Sequence, residues 1–303
     1  MLTFDRYITA KTLGEAFTAL ESTAGARLVA GATDLLPWAR EGRAGDVHLP
    51  ALVDVSGIPE LCDISLEGDR LHIGAATPIA AFEQHPLLVA NAQLLARCAV
   101  WFADDQIREQ ASLGGNVVNA SPAGDTFPAL LAMNAHVVLV RRDAQGMHQR
   151  TLPVSDFVRG PGNTLLGENE ILLRIDCDAV PEHGCAFEKV GHRRSLVIST
   201  VCLAVLTRLD SVGEELEDVR IAIGAVGPVP ERLSDAEVFL LGKQPTAEIL
   251  REAAEMAVDH VRSRSRQEYR RDVLVNFVER GLATALQQSG LEIARLPKEL
   301  SYV

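Results

Sequence analysis

Two glycine-bearing segments hold the residues best suited to gripping an anionic ligand. The first is Leu28-Val29-Ala30-Gly31-Ala32-Thr33-Asp34-Leu35. A short apolar strand entering a tight turn of small residues can aim successive backbone N–H groups at one point. Such a nest holds a pyrophosphate without any lysine. An ordinary glycine turn uses the same residues, so this segment alone leaves both readings open. The second segment is Ser112-Leu113-Gly114-Gly115-Asn116-Val117-Val118-Asn119-Ala120-Ser121-Pro122-Ala123-Gly124-Asp125. Its polar groups lie between apolar neighbours, which is costly unless something satisfies them. A bound ligand would do so; a surface Ω-loop is the alternative.

Other chemistries lack their signatures. There is no GxGxxG and no GxxxxGK[ST], so neither common phosphate loop is supported. HExxH and GxSxG are absent as well. The eight histidines do not pair at metal-ligand spacing. The five cysteines, Cys62, Cys98, Cys177, Cys185 and Cys202, are scattered and odd in number, which favours reduced thiols over a disulfide framework. His192-Arg193-Arg194 is a basic patch that reads as solvated surface or as a contact for an anion. Lys189, just before it, is either a surface lysine or a cation beside a cofactor.

These segments need elements to position them. Leu13, Ala16, Phe17 and Leu20 recur at helical spacing behind Thr12 and Glu15, a capping box. Strands are expected at Leu28–Ala30 and Leu52–Val55, so residues 1–57 read as one small lobe. A second lobe, 58–178, starts with a strand at Arg70–Ala75. Thr77-Pro78 then reads as a cap with proline at the first helical position, and a helix is expected over Leu87–Val100. A buried helical turn at Phe127–Met133 and strands at His136–Val140 and Ile171–Ile175 complete it. Residues 179–303 carry three strands, Ala186–Val190, Thr200–Arg208 and Val219–Val226, expected to pair antiparallel. Ile221 and Ile223 alternate with Arg220 and Ala222 as in a half-buried strand. Two helices, about Ala247–Val261 and Gln267–Gln287, follow, with Ile249, Ala253, Met256 and His260 on one stripe of the first. Strands followed by helices make an α+β chain.

Composition narrows the function further. At roughly 100–200 residues per domain, 303 residues suggest about two domains. The formal charge is −12, from 29 Lys plus Arg against 41 Asp plus Glu, which argues against nucleic acid or an anionic membrane as partner. Aromatics are 5%, too few for a base-stacking platform. No apolar run is long enough for a membrane span, and Asp5 and Arg6 interrupt the stretch where a signal peptide would need apolar residues. A cytoplasmic protein is the expectation.

Together the motifs resemble a family. Ala30-Gly31-Ala32-Thr33-Asp34-Leu35 resembles an AGGTDL segment, and 112–126 resembles TIGGNIxNASPAGDT. Both belong to the FAD-binding medium subunits of the molybdenum hydroxylases, such as xanthine dehydrogenase and carbon monoxide dehydrogenase. Ala186-Phe187-Glu188-Lys189 with Arg193-Arg194, Gly224-Ala225-Val226-Gly227-Pro228 and Glu268-Tyr269-Arg270-Arg271 resemble the same family's C-terminal domain.

The resemblance implies a two-lobed PCMH-type FAD-binding domain, then a C-terminal domain of antiparallel sheet plus helices. It implies that Leu28–Leu35 and Ser112, Leu113, Gly114, Gly115 and Asn116 wrap the FAD diphosphate. It places Phe102 beside the flavin, gives Asp125 a polar part of the FAD, and sets Leu172 and Lys189 near the isoalloxazine ring. Ala32 stands where the family commonly has glycine and suits the turn only with a negative φ. Glu188 occupies a place where some members have lysine. Ser195-Leu196-Val197-Ile198 lacks the acidic residue that many relatives carry.

The implied role is electron relay. A large molybdenum-pterin subunit hydroxylates the substrate, and a small subunit with 2Fe–2S clusters passes electrons to FAD on this chain. NAD, oxygen or another acceptor takes them, and the family habit is a dimer of heterotrimers. The rival readings of the same residues are a stand-alone flavin oxidoreductase of the same fold and a scaffold that has lost FAD. A relay subunit is also expected to expose an apolar patch for its partners.

Overall fold

The computed structural model describes residues 2–40, 47–193 and 195–293. In chain order it has β1 (Leu2–Thr9), α1 (Leu13–Ser22), β2 (Arg27–Val29), α2 (Leu35–Arg40), β3 (Val47–Asp54), α3 (Pro59–Cys62), β4 (Ile64–Glu67), β5 (Arg70–Gly74) and α4 (Ala81–Gln84). Next come α5 (Pro86–Asn91), α6 (Gln93–Trp101), α7 (Asp105–Gln110), α8 (Leu113–Asn119) and α9 (Thr126–Ala132). There follow β6 (His136–Asp143), β7 (Gly146–Pro153), α10 (Val154–Phe157), β8 (Val158–Gly160), β9 (Asn163–Thr164) and β10 (Glu170–Asp178). The last are β11 (Gly184–Val190), β12 (Val201–Leu209), β13 (Leu216–Gly224), β14 (Glu231–Arg232), α11 (Ser234–Leu240), α12 (Ala247–Met256), a 3-10 turn at Ala257–His260, and α13 (Gln267–Gln288).

The chain forms two compact units. The first comprises residues up to Leu88, Ala103–Ala120 and Asn134–Ala179; the second comprises Val89–Phe102, Ser121–Met133 and the chain from Val180 onward. The first unit holds a parallel sheet in the order β1-β3-β2 and a five-stranded antiparallel sheet in the order β4-β5-β10-β6-β7. β3 lies between two parallel partners and buries Ala51, Leu52 and Val53 in a row, as a strand covered on both faces must. α1 forms where the sequence places it: Thr12 Oγ1 accepts from Glu15 N–H, and Glu15 Oε2 accepts from Lys11 N–H. Leu13, Ala16 and Phe17 point into the core.

The second unit is built on the antiparallel sheet β11-β12-β13-β14. α13 packs against β11 and β12, and the wholly buried α9 packs against β12 and β13. This second covering layer explains one departure. Ala222 is as buried as Ile221 and Ile223, so β13 is not the half-exposed strand that its alternation suggests.

Other expectations are corrected. Pro78 does not start a helix; it bridges Ser112, and Ile79 N–H donates to Ala111 O, so the backbone there is tied to another segment. α4 begins only at Ala81. The helix expected over 87–100 breaks at Ala92 (φ −142°, ψ 45°), where the Asn91 carbonyl accepts from Val180 N–H. The helix expected to run to Val261 leaves α geometry after Met256, and its buried stripe is Leu250, Ala253 and Ala254. β1 was not expected at all.

One charge cluster ties three parts of the second unit together. Arg220 donates to both oxygens of Asp218 and to Ala132 O, while His183 Nε2 lies 3.0 Å from Asp218 Oδ2. Burial raises the Asp218 carboxyl, but the hydrogen bonds from His183 and Arg220 outweigh it and hold the group well below the usual carboxylate range. A depressed carboxylate stabilises the fold above its unfolded value of about 3.9 and ceases to do so as pH falls toward its folded value. Asp218→Asn should therefore lower stability by about 2 kcal/mol at pH 7. The gap from wild type should begin to narrow below pH ~4 and keep narrowing as pH falls toward the folded value, as read by urea unfolding at a series of pH values.

Candidate functional site

The first glycine turn leaves β2 and enters α2. Leu28 and Val29 end the strand, Ala30–Asp34 make the turn, and Leu35 begins the helix. At Gly31 a Cβ would lie 1.8 Å from the Gln110 carbonyl oxygen, so only glycine allows this approach to the α7–α8 junction. Ala32 has φ +56°, contrary to the negative φ that its side chain would prefer. Its carbonyl accepts from Leu36 N–H. The N–H groups of Gly31, Ala32, Thr33 and Asp34 have no acceptor among the described residues. Consecutive unengaged N–H groups at a left-handed turn are the geometry of an anion nest. Asp34 closes the turn: its Oδ2 accepts from Asn119 Nδ2 at 3.1 Å, and local desolvation pushes its carboxyl up.

The strain at Ala32 is a small, testable quantity. A left-handed non-glycine residue costs roughly 1–2 kcal/mol, part of which glycine gives back in unfolded-state entropy. Ala32→Gly should therefore stabilise the chain by about 0.5 kcal/mol, measured as a rise in the urea midpoint at unchanged slope.

The second segment is not the irregular stretch that its composition suggests, since Leu113–Asn119 is helical. Glycine is a poor helix former, so close packing and capping must offset it. Gly114 sits where a Cβ would come within 2.6 Å of Ala75 Cβ. Leu113 N–H donates to Thr77 O and Gly114 N–H to Ala75 O, at 2.9 and 2.8 Å. Gly115 N–H donates to Ser112 Oγ at 3.1 Å, and Asn116 N–H to Ser112 O at 3.0 Å. The N–H groups of Leu113, Gly114, Gly115 and Asn116 are therefore already engaged. Ser112 accepts through Oγ and keeps its hydroxyl hydrogen to donate, and the side chain of Asn116 is half-buried beside it. Leu172 lies buried on β10, next to a bulge at Leu173 whose carbonyl accepts from Ala75 N–H.

Phe102, Asp125 and Lys189 lie in the second unit. Lys189 on β11 is 2% exposed; its Nζ donates to Asp125 Oδ2 at 2.6 Å and to Trp101 O at 3.0 Å. The other Asp125 oxygen, Oδ1, accepts from Ser199 Oγ at 2.5 Å, and the Asp125 carbonyl accepts from Cys98 Sγ. Burial pushes the Asp125 carboxyl up, while Lys189 and Ser199 pull it back. The two charged residues expected to meet a cofactor are thus bonded to each other. Glu188 points the other way and binds Arg280 through both oxygens, as strand alternation requires. Half-buried Phe102 caps α6, one residue beyond the carbonyl that Lys189 holds.

Sequence reasoning missed Ala75, Gln110, Asn119, Trp101 and Ser199. Asn119 alone carried a signal, inside the second motif. Arg193 donates to Leu196 O, and Arg194 lies outside the described residues. All five cysteines are free; burial pushes the Cys98 and Cys202 thiols well up, which makes them unreactive. Among the described residues no cluster of His, Cys, Asp and Glu could hold a metal, and no helix is long and apolar enough to cross a membrane. Leu196 and Ile198 are exposed on the segment between β11 and β12, and Phe4, Tyr7 and Leu36 on the first unit.

Residues 2–179 match the family described as FAD binding domain in molybdopterin dehydrogenase, and 186–285 match the CO dehydrogenase flavoprotein C-terminal domain. The carbon monoxide dehydrogenase medium chain of Hydrogenophaga pseudoflava is 33% identical over 255 residues, covering 83% of this chain and 85% of that one. The xanthine dehydrogenase FAD-binding subunit of Escherichia coli O157:H7 is 28% identical over 297 residues, 96% of this chain and 99% of that one. Among solved structures, the Hydrogenophaga pseudoflava carbon monoxide dehydrogenase lacking the Mo-pyranopterin moiety superposes with a TM-score of 0.83 at 31% identity. The superposition covers 93% of this chain and 97% of that one.

Proposed function

Because the chain belongs to the FAD-binding flavoprotein subunits of the molybdopterin dehydrogenase family, we propose that its first glycine turn grips the FAD diphosphate. The observation that carries this reading is the run of N–H groups at Gly31–Asp34 that have no acceptor among the described residues, formed where a Cβ would collide with Gln110. A diphosphate fits such a cradle: it brings many acceptors and no donors, and consecutive backbone N–H donors can hold it without a point cation. Ser112 adds its hydroxyl hydrogen, and Gly114 allows α8 to sit tightly on Ala75. Asn116 stands beside Ser112, and Leu172 supplies an apolar wall. Asn119 holds the Asp34 carboxylate, keeping its charge from swinging toward the phosphates. In the second unit, the Lys189–Asp125 pair fixes the end of α6 that carries Phe102, the aromatic expected beside the flavin.

FAD supplies the electron-transfer chemistry, and the protein supplies position and polarity. The role proposed is relay: electrons arrive from 2Fe–2S clusters of a small partner subunit, served by a large molybdenum-pterin subunit, and leave to NAD, oxygen or another acceptor. No acid–base pair is required for that role. A dimer of heterotrimers is the assembly proposed. The relatives named as medium chain and FAD-binding subunit support this reading.

The test is a visible spectrum of the purified chain with release of the chromophore, then titration with FAD and riboflavin. The reading expects a flavin spectrum, FAD on denaturation, and much weaker binding of riboflavin, which lacks the diphosphate. A folded chain that binds both equally, or neither, sinks it.

A further inference from the structure

Within the first unit the two glycine turns ride on different sheets. The first leaves β2 of the three-stranded sheet; the second opens α8, which packs on β10 of the five-stranded sheet. A ligand held by both turns requires the two sheets to keep one spacing. Near the turns that spacing rests on Gly31 against Gln110 and on the Asp34–Asn119 bond.

A third link comes from Arg142, near the end of β6, which reaches α1 on the three-stranded side. Its Nε donates to Glu21 Oε1 at 3.0 Å and its Nη2 to Glu21 Oε2 at 2.5 Å, a two-pronged pair. Nη1 donates to Gly14 O at 3.0 Å and Nη2 to Thr18 Oγ1 at 3.2 Å. The guanidinium carbon also lies 5.7 Å from the centre of the buried Phe17 ring. Gly14, Thr18 and Glu21 lie on one stripe of α1, so one planar side chain grips two turns of helix. Arg142 is 26% exposed and Glu21 48%, and an isolated pair at such exposure contributes little. Fork geometry and a shared network raise that contribution, and this contact has both. The Arg142 guanidinium, through its bond to Glu21, holds that carboxyl below its usual range.

α1 leads directly into β2 and hence into Gly31–Asp34. We propose that Arg142 is a positioning residue for the cofactor: by clasping α1 to the five-stranded sheet it sets the spacing of the two glycine turns without touching the ligand. The assignment rests on the diphosphate reading above.

The test uses the full chain and three variants. Arg142→Met cuts the clasp and Glu21→Gln weakens it. Arg150→Met breaks a comparable fork, Arg150 to Glu170 at 2.6 Å, within the five-stranded sheet alone. FAD and riboflavin affinities are measured by flavin fluorescence well below the unfolding range. Arg142→Met should raise the Kd for FAD about tenfold, equal to about 1.4 kcal/mol, and change the Kd for riboflavin far less. Glu21→Gln should follow in the same sense, and Arg150→Met should leave both within about twofold. An FAD Kd for Arg142→Met within twofold of wild type overturns the clasp, as does an equal loss of FAD and riboflavin or an equal effect of Arg150→Met. A wild-type chain that binds no FAD defeats the diphosphate reading itself, a distinct result.

Discussion

Lys189→Met should be among the most damaging single changes in this chain, lowering the unfolding free energy by about 3–5 kcal/mol. The Lys189 ammonium is buried between Asp125 Oδ2 and Trp101 O. Methionine fills much of the volume but leaves Asp125, whose carboxyl burial already pushes up, with Ser199 as its remaining side-chain donor. Breaking one half of a buried pair costs far more than replacing both halves. Lys189→Met with Asp125→Asn should therefore recover a good part of the loss, which additive costs would not allow. Urea unfolding of the single and double variants decides it. A double variant as unstable as the sum of the singles would show that the pair does not act as a unit.

Gly31→Ala should have the largest effect on cofactor binding. The added Cβ would meet a backbone carbonyl at 1.8 Å, and a carbonyl at the α7–α8 junction cannot rotate away as a side chain can. The turn must shift, and the four N–H groups shift with it. Displacement of such a cradle should cost about 3 kcal/mol of binding, more than a hundredfold in Kd for FAD. Gly57→Ala is the matched control, because a Cβ there meets nothing within 4 Å and the residue has no left-handed φ. A Gly31→Ala chain that stays folded and retains FAD as wild type does would remove the first glycine turn from the site.

Much of the secondary structure was readable because its causes are local. Thr12 caps α1 and Glu15 reaches back to Lys11 N–H within five residues of chain. β6, β10, β11, β12 and β13 announce themselves as apolar runs, since both faces of those strands are largely covered. β1 gives no such signal: six of its eight residues are exposed, and only pairing with β3 makes it a strand. α8 is hidden by its glycines, which suit its approach to Ala75 but read as loop. Pro78 and Ala92 misled for the same reason, since each backbone is claimed by a distant segment.

By itself, the order of residues determined the family motifs, the two glycine turns and the donor-rich, cation-poor character of the first. A nest is made by consecutive residues, so its chemistry is written in one short stretch. Only the tertiary structure decided what those residues meet. Gly31 opposes Gln110, and Asp34 finds Asn119, 85 positions away. Lys189 takes Asp125, 64 positions away, so two residues expected to meet the cofactor are bonded to each other. Ala32 accepts a left-handed φ that its side chain alone would refuse. The physical reason is common to all four. Caps, turns and periodicity act over about ten residues of chain, whereas the partner of a buried charge or a close-packed glycine is set by which sheets and helices fold against one another.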